Sequence, residues 1–98
     1  MLYSLTEKLK FADDPQIEIK GKVITIKSDA ETVLTLLDLL QTEGEIEGMR
    51  KAMDLLLSDK DIKTVKSLKL KTVDFLKLME TAIDLALGND PDGKESGE

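Results

Sequence analysis

The segment Gln16-Ile17-Glu18-Ile19-Lys20-Gly21-Lys22-Val23-Ile24-Thr25-Ile26-Lys27 constrains the fold more than any other stretch of the chain. Two alternating β-branched runs meet at a glycine, the pattern of an antiparallel hairpin. With Gly21-Lys22 as a two-residue turn, glycine first as a type II′ turn prefers, Lys20 faces Val23, Ile19 faces Ile24 and Ile17 faces Ile26. All four isoleucines then share one face, and a slip by one residue would divide them between faces. A lone hairpin is marginal in water, so this apolar face must cover the rest of the chain.

Beyond the hairpin the chain reads as helical. Ser28-Asp29-Ala30-Glu31 matches a capping box with Ser28 as the cap, and the apolar positions Ala30, Val33, Leu34, Leu36, Leu37, Leu39 and Leu40 predict a helix over about 29–42. Their wide spread around the helix predicts a central position with neighbours on two sides, and Gly44 is its expected stop. Ile46, Met49, Ala52, Met53, Leu55, Leu56 and Leu57 predict a second helix over about 45–57, with Gly48 weakening its first turn. Ser58 caps a short third helix over about 59–65, and Ser67–Lys71 alternates as an extended connector that turns Leu68 and Leu70 inward. The longest helix runs over about 72–87 and stops at Gly88. Near the front, Ser4-Leu5-Thr6-Glu7 fits another capping box, predicting a short helix to Lys10 or Phe11 before Asp13-Asp14-Pro15.

The expected fold class is therefore α+β: an N-terminal β-hairpin, about 16–27, packed on a small, mainly helical domain of three to four helices. Residues 1–88 form the single domain that 98 residues can support, and 89–98, which offer no side chain to a core, form a flexible acidic tail. Aromatic residues are 3% of the sequence, so the core must be built from Leu, Ile, Val, Met and Ala.

The sequence has no cysteine and no histidine, which removes disulfides, thiolate metal sites and the commonest general base. No glycine-rich phosphate loop, nucleophile elbow or paired catalytic acid is present, so no cofactor and no enzymatic role are expected. Asn89-Asp90-Pro91-Asp92-Gly93 superficially suggests a calcium loop, but Pro91 breaks the ligand spacing and the closing bidentate Glu has no place to stand. An acyl-carrier role fails for want of an Asp-Ser-Leu tripeptide at a helix start.

Charge is uneven. The net charge is −6, yet residues 28–59 hold eight acidic and two basic residues while residues 60–79 hold six basic and two acidic. Lys60, Lys63 and Lys66 recur at helical spacing, joined by Lys69, Lys71 and Lys77, as a basic strip able to dock an acidic partner or phosphate. An ordinary solvated face is the commoner origin of such a strip, and no aromatic or Arg is interleaved for stacking on bases, so nucleic acid is not an expected partner. Met49 and Met53 stand at helix-core spacing, where filling a core is commoner than lining an adaptable groove. Leu36, Leu40, Met49 and Met53, with Lys60, Lys63 and Lys66, are the candidate protein-binding residues, the apolar four on condition that they lie exposed. The basic 60–77 region against the acidic 29–54 region of another copy would provide self-association. No apolar run reaches the roughly 20 residues of a membrane span and the start lacks signal-peptide blocks, so a cytoplasmic address without a membrane partner is expected.

Phe11-Ala12-Asp13-Asp14-Pro15-Gln16 leading into the hairpin, the Ser28-Asp29-Ala30-Glu31 helix start, and a final amphipathic helix entering Gly88-Asn89-Asp90-Pro91 together resemble the small tail assembly chaperones of long-tailed phages and prophages of Gram-positive bacteria. The resemblance covers most of residues 9–92 and is one of layout, without a catalytic signature. It implies a non-enzymatic protein of the host cytoplasm that coats the hydrophobic helical length of the tape measure protein before the tail tube forms. A rival expectation is a small regulatory protein of antitoxin or anti-repressor type, whose acidic tail wraps a basic protein target.

Overall fold

The structure is a computed structural model and describes residues 1–91. From residue 92 onward, the expected acidic tail lies outside the described residues. An antiparallel two-stranded hairpin, β1 (Gln16–Ile19) and β2 (Lys22–Thr25), is followed by α1 (Ala30–Thr42), α2 (Glu45–Leu56), α3 (Asp59–Leu68) and α4 (Thr72–Ala86), a mainly helical α+β fold.

The hairpin closes differently from expectation. Ile17 pairs with Ile24 and Ile19 with Lys22, so Lys20-Gly21, rather than Gly21-Lys22, is the turn. Both turn residues have positive φ, 50° at Lys20 and 80° at Gly21, which is the type I′ geometry whose twist suits a two-residue hairpin. The Glu18 carboxylate accepts the Gly21 N–H and holds the turn. Because the shift is by two residues, the four isoleucines still share a face. Ile24 and Ile26 are fully buried, and Ile17 and Ile19 pack partly buried against the core. The ladder extends past the strands, with the Ile26 N–H donating to Pro15 C=O at 2.8 Å.

Two polar contacts seat the hairpin on the helices, and a third ties its two ends together. The Thr25 N–H donates to the Asp61 carboxylate on α3 at 2.9 Å, closing the outer edge of β2. The Lys27 N–H donates to Leu56 C=O at the end of α2 at 2.9 Å. Ser28 Oγ donates to Asp14 Oδ1 at 2.8 Å, so Ser28 is occupied and does not cap α1 as the sequence suggests. Asp29 is the cap: its carboxylate accepts the Thr32 hydroxyl at 2.7 Å and the Thr32 N–H at 3.2 Å. Those two bonds, the hydroxyl first, hold the Asp29 carboxyl below its ordinary range.

The central helix is α2, not α1. It packs against α1 on one side and against α4 and α3 on others, while α3 also packs on β2. Ala52, Met53, Leu56 and Leu57 join Ile24, Ile26, Val65, Leu78, Met79, Ala82 and Ala86 in the core, and α1 contributes Leu36 as its one fully buried side chain. With one principal neighbour, α1 covers only part of its wide apolar surface.

Helix ends reflect local chemistry. Gly44 begins α2 as its cap residue instead of ending α1. Ser58 Oγ accepts the Asp61 N–H at the start of α3. That helix runs to Leu68, beyond the expected residue 65, because Ile62, Val65 and Leu68 continue one inward stripe. It ends where Lys69 turns left-handed at φ 52°. The first capping box does not form: Thr6–Lys8 makes a single 3-10 turn with no side-chain cap. Nothing from residues 1–11 joins the core, and Met1, Leu2, Tyr3, Leu5, Leu9 and Phe11 are all exposed.

Candidate functional site

A groove of about 460 Å³ opens between β1, the α3–α4 connector and α4. Its floor is Ile17, Ile19, Leu68, Leu70 and Leu78, and its rim carries Lys20, Lys69, Lys71 and Lys77 against one acid, Asp74. Two short alternations create it. Ile17-Glu18-Ile19-Lys20 ends in the left-handed turn, and Leu68-Lys69-Leu70-Lys71 passes through the left-handed Lys69, so each element points leucine or isoleucine inward and ends in lysine at the edge. The volume falls within the ~300–1,000 Å³ of clefts that take a ligand or an anchor side chain.

A second surface lies on α1. Ala30, Leu34, Leu37 and Gln41 succeed one another at i, i+4, i+7 and i+11, all exposed, with Leu34 at 66% and Leu37 at 43%. Glu31 and Asp38, one heptad apart, flank this ridge on one side, and no basic residue occurs within α1. The third surface is the apolar arm before the hairpin, where Leu2 is 97% and Phe11 78% exposed.

The residues singled out from sequence disperse. Leu36 and Met53 are buried in the core cluster, on the inward faces of α1 and α2, and present no contact surface. Leu40 and Met49 meet across a shallow cleft of about 300 Å³ at the α1–α2 corner, with Glu43, Gly44, Glu45 and Gly48. Lys60 borders a polar cleft with Asp14, Gln16, Thr25 and Asp61, while Lys63 and Lys66 stand exposed on α3 outside the groove. Lys69, Lys71 and Lys77 do converge, and Lys20 of the hairpin completes their rim. The sequence signal for the groove is the alternation of aliphatic and charged residues, ending in lysine, shared by residues 17–20 and 68–71, which only folding brings together.

Among the described residues no three carboxylates gather as a metal site, and no helix is long and apolar enough to cross a membrane. No protein-family model matches the chain, and neither a curated protein nor a solved structure matches it.

Proposed function

We propose that this protein is a non-enzymatic binding protein of the tail assembly chaperone kind, which covers exposed apolar helix of a tape measure protein during tail assembly in the cytoplasm. The observation that carries this reading is the apolar arm: Met1, Leu2, Tyr3, Leu5, Leu9 and Phe11 stand in solvent on a chain whose core is complete without them. Such a run of large apolar side chains, six within eleven residues and none used by the core, marks an interaction surface. Leu2, Leu5 and Leu9 lie at i, i+3 and i+7, the spacing with which a segment folds as an amphipathic helix on an apolar partner. An arm that must refold as a helix on contact gives a modest affinity per copy, which suits a cover that must later be shed.

Co-expression with the tape measure protein tests this. The intact chain keeps the tape measure protein in the soluble fraction and copurifies with it, and the Leu2→Ser, Leu5→Ser, Leu9→Ser variant, whose core is untouched, does not. A variant that solubilises as well as the parent would contradict the role of the arm. A tape measure protein that stays insoluble beside the parent chain would contradict the function.

A further inference from the structure

We propose that the lysine-rimmed groove receives an extended acidic peptide of a partner protein, which adds as a third strand to the open edge of β1. The parity of the hairpin ladder tells which backbone groups that edge presents. The Ile26 N–H donates to Pro15 C=O, so in this register Ile17–Ile24 and Ile19–Lys22 are the hydrogen-bonded pairs, and Gln16–Thr25 and Glu18–Val23 are not. The N–H and C=O of Val23 and Thr25 therefore point out of β2, and those of Gln16 and Glu18 point out of β1. The edge of β2 is closed, since its outward Thr25 N–H donates to Asp61. At the edge of β1 no further strand pairs among the described residues. The groove is lined by Ile17 and Ile19 of β1 and by no apolar residue of β2, so it lies along this open edge. An unpaired edge beside side-chain pockets is the surface to which extended peptides add as strands.

The lining sets the chemistry of the peptide. A strand sends alternate side chains to opposite faces, so every second residue would descend onto the aliphatic floor and should itself be aliphatic. At the rim four lysines face a single acid, Asp74, so the residues between should be carboxylates. Glu18 is engaged with the Gly21 N–H of the turn. Other occupants fit less well. The rim has neither Arg nor an aromatic ring, which disfavours nucleic acid. The protein's own arm brings two lysines and one glutamate in residues 1–11, the wrong sign, and residues 92–98 contain no aliphatic side chain for the floor. A fatty-acid anion would match floor and rim but would leave the backbone groups of Gln16 and Glu18 unpaired. The groove is separate from the arm, so this peptide and the partner of the arm are tested apart.

Nuclear magnetic resonance titration of the ¹⁵N-labelled chain with a capped synthetic peptide that alternates valine and aspartate tests the proposal. Saturable shifts are expected at Gln16, Glu18, Lys69, Lys71 and Lys77. Lys69→Glu with Lys77→Glu weakens binding about tenfold or more, as expected from turning two attractions into repulsions, and Lys63→Glu with Lys66→Glu, outside the groove, leaves it unchanged. Thermal melts verify that both variants are folded. Two further peptides carry N-methyl groups, one on all valine amides and one on all aspartate amides. Successive residues of a strand direct their N–H groups to opposite edges, so only one of the two sets faces β1. That peptide loses binding about tenfold or more and the other retains it. Absence of saturable shifts at millimolar peptide overturns the proposal, as does an equal response to the two methylated peptides. Decanoate binding the same residues as tightly as the parent peptide also overturns it, and assigns the groove to a single-chain amphiphile.

Discussion

Gly48 lies inside α2 with helical backbone, while Gly88 sits just past α4 at φ +84°. A Cβ on Gly48 would meet only the Glu43 Cβ at 3.8 Å, an ordinary contact. Gly48→Ala should therefore stabilise the protein by about 0.5–1 kcal/mol, through the lower backbone entropy of alanine in the unfolded chain and its better helix propensity. At Gly88 the backbone is left-handed so that the Gly88 N–H reaches Leu85 C=O at 3.0 Å and the Asn89 N–H reaches Asp84 C=O at 2.8 Å, a Schellman ending. Gly88→Ala should destabilise by about 1–2 kcal/mol because its Cβ opposes that conformation. Urea unfolding of both variants checks the two opposite signs, and equal signs would refute the backbone account.

At the scale of elements, α1 starts on Asp29, and this start is pH-dependent. The Thr32 hydroxyl and N–H favour the ionised carboxylate, so its pKa in the folded state lies below the ordinary value. The resulting stability is present above the ordinary carboxylate range and is lost as pH falls through the lowered folded value. Asn at position 29 can still cap but does not titrate. The melting temperature of the parent should exceed that of Asp29→Asn near neutral pH, with the gap closing in acid; a gap independent of pH would show that the charge contributes nothing. The same element shows why some of the fold was legible and some was not. Seven apolar residues predict that α1 is a helix, but their number cannot tell a helix packed on both sides from one packed mainly on α2 with leucines left outside. In the hairpin, Ile-x-Ile on both strands fits two registers that differ by two residues and share a face. The turn residues decide between them, and a lysine at φ 50° is uncommon enough that glycine-first was the natural expectation. Helix α3 read short because Leu68-Lys69-Leu70-Lys71 alternates like a strand, although Leu68 also extends the Ile62–Val65 stripe. The groove was legible only in halves, since its two alternating segments lie about fifty residues apart in the sequence.

The molecule as a whole measures 55 × 32 × 32 Å and turns three different surfaces to solvent: an apolar arm, an acidic leucine ridge and a basic-rimmed groove. They lie on separate elements, so each can be altered without touching the others. The acidic and basic blocks seen in the sequence thus fall on different faces, with Lys69, Lys71 and Lys77 in the groove and Glu31 and Asp38 beside the ridge. The most direct test of the arm as the partner-binding surface is hydrogen–deuterium exchange of the protein with and without a soluble segment of the tape measure protein. Protection gained by residues 2–11, with α2 and α4 unchanged, is the predicted result. Exchange in residues 2–11 that is the same with and without the segment, in a sample where the two proteins have been shown to bind, would contradict it.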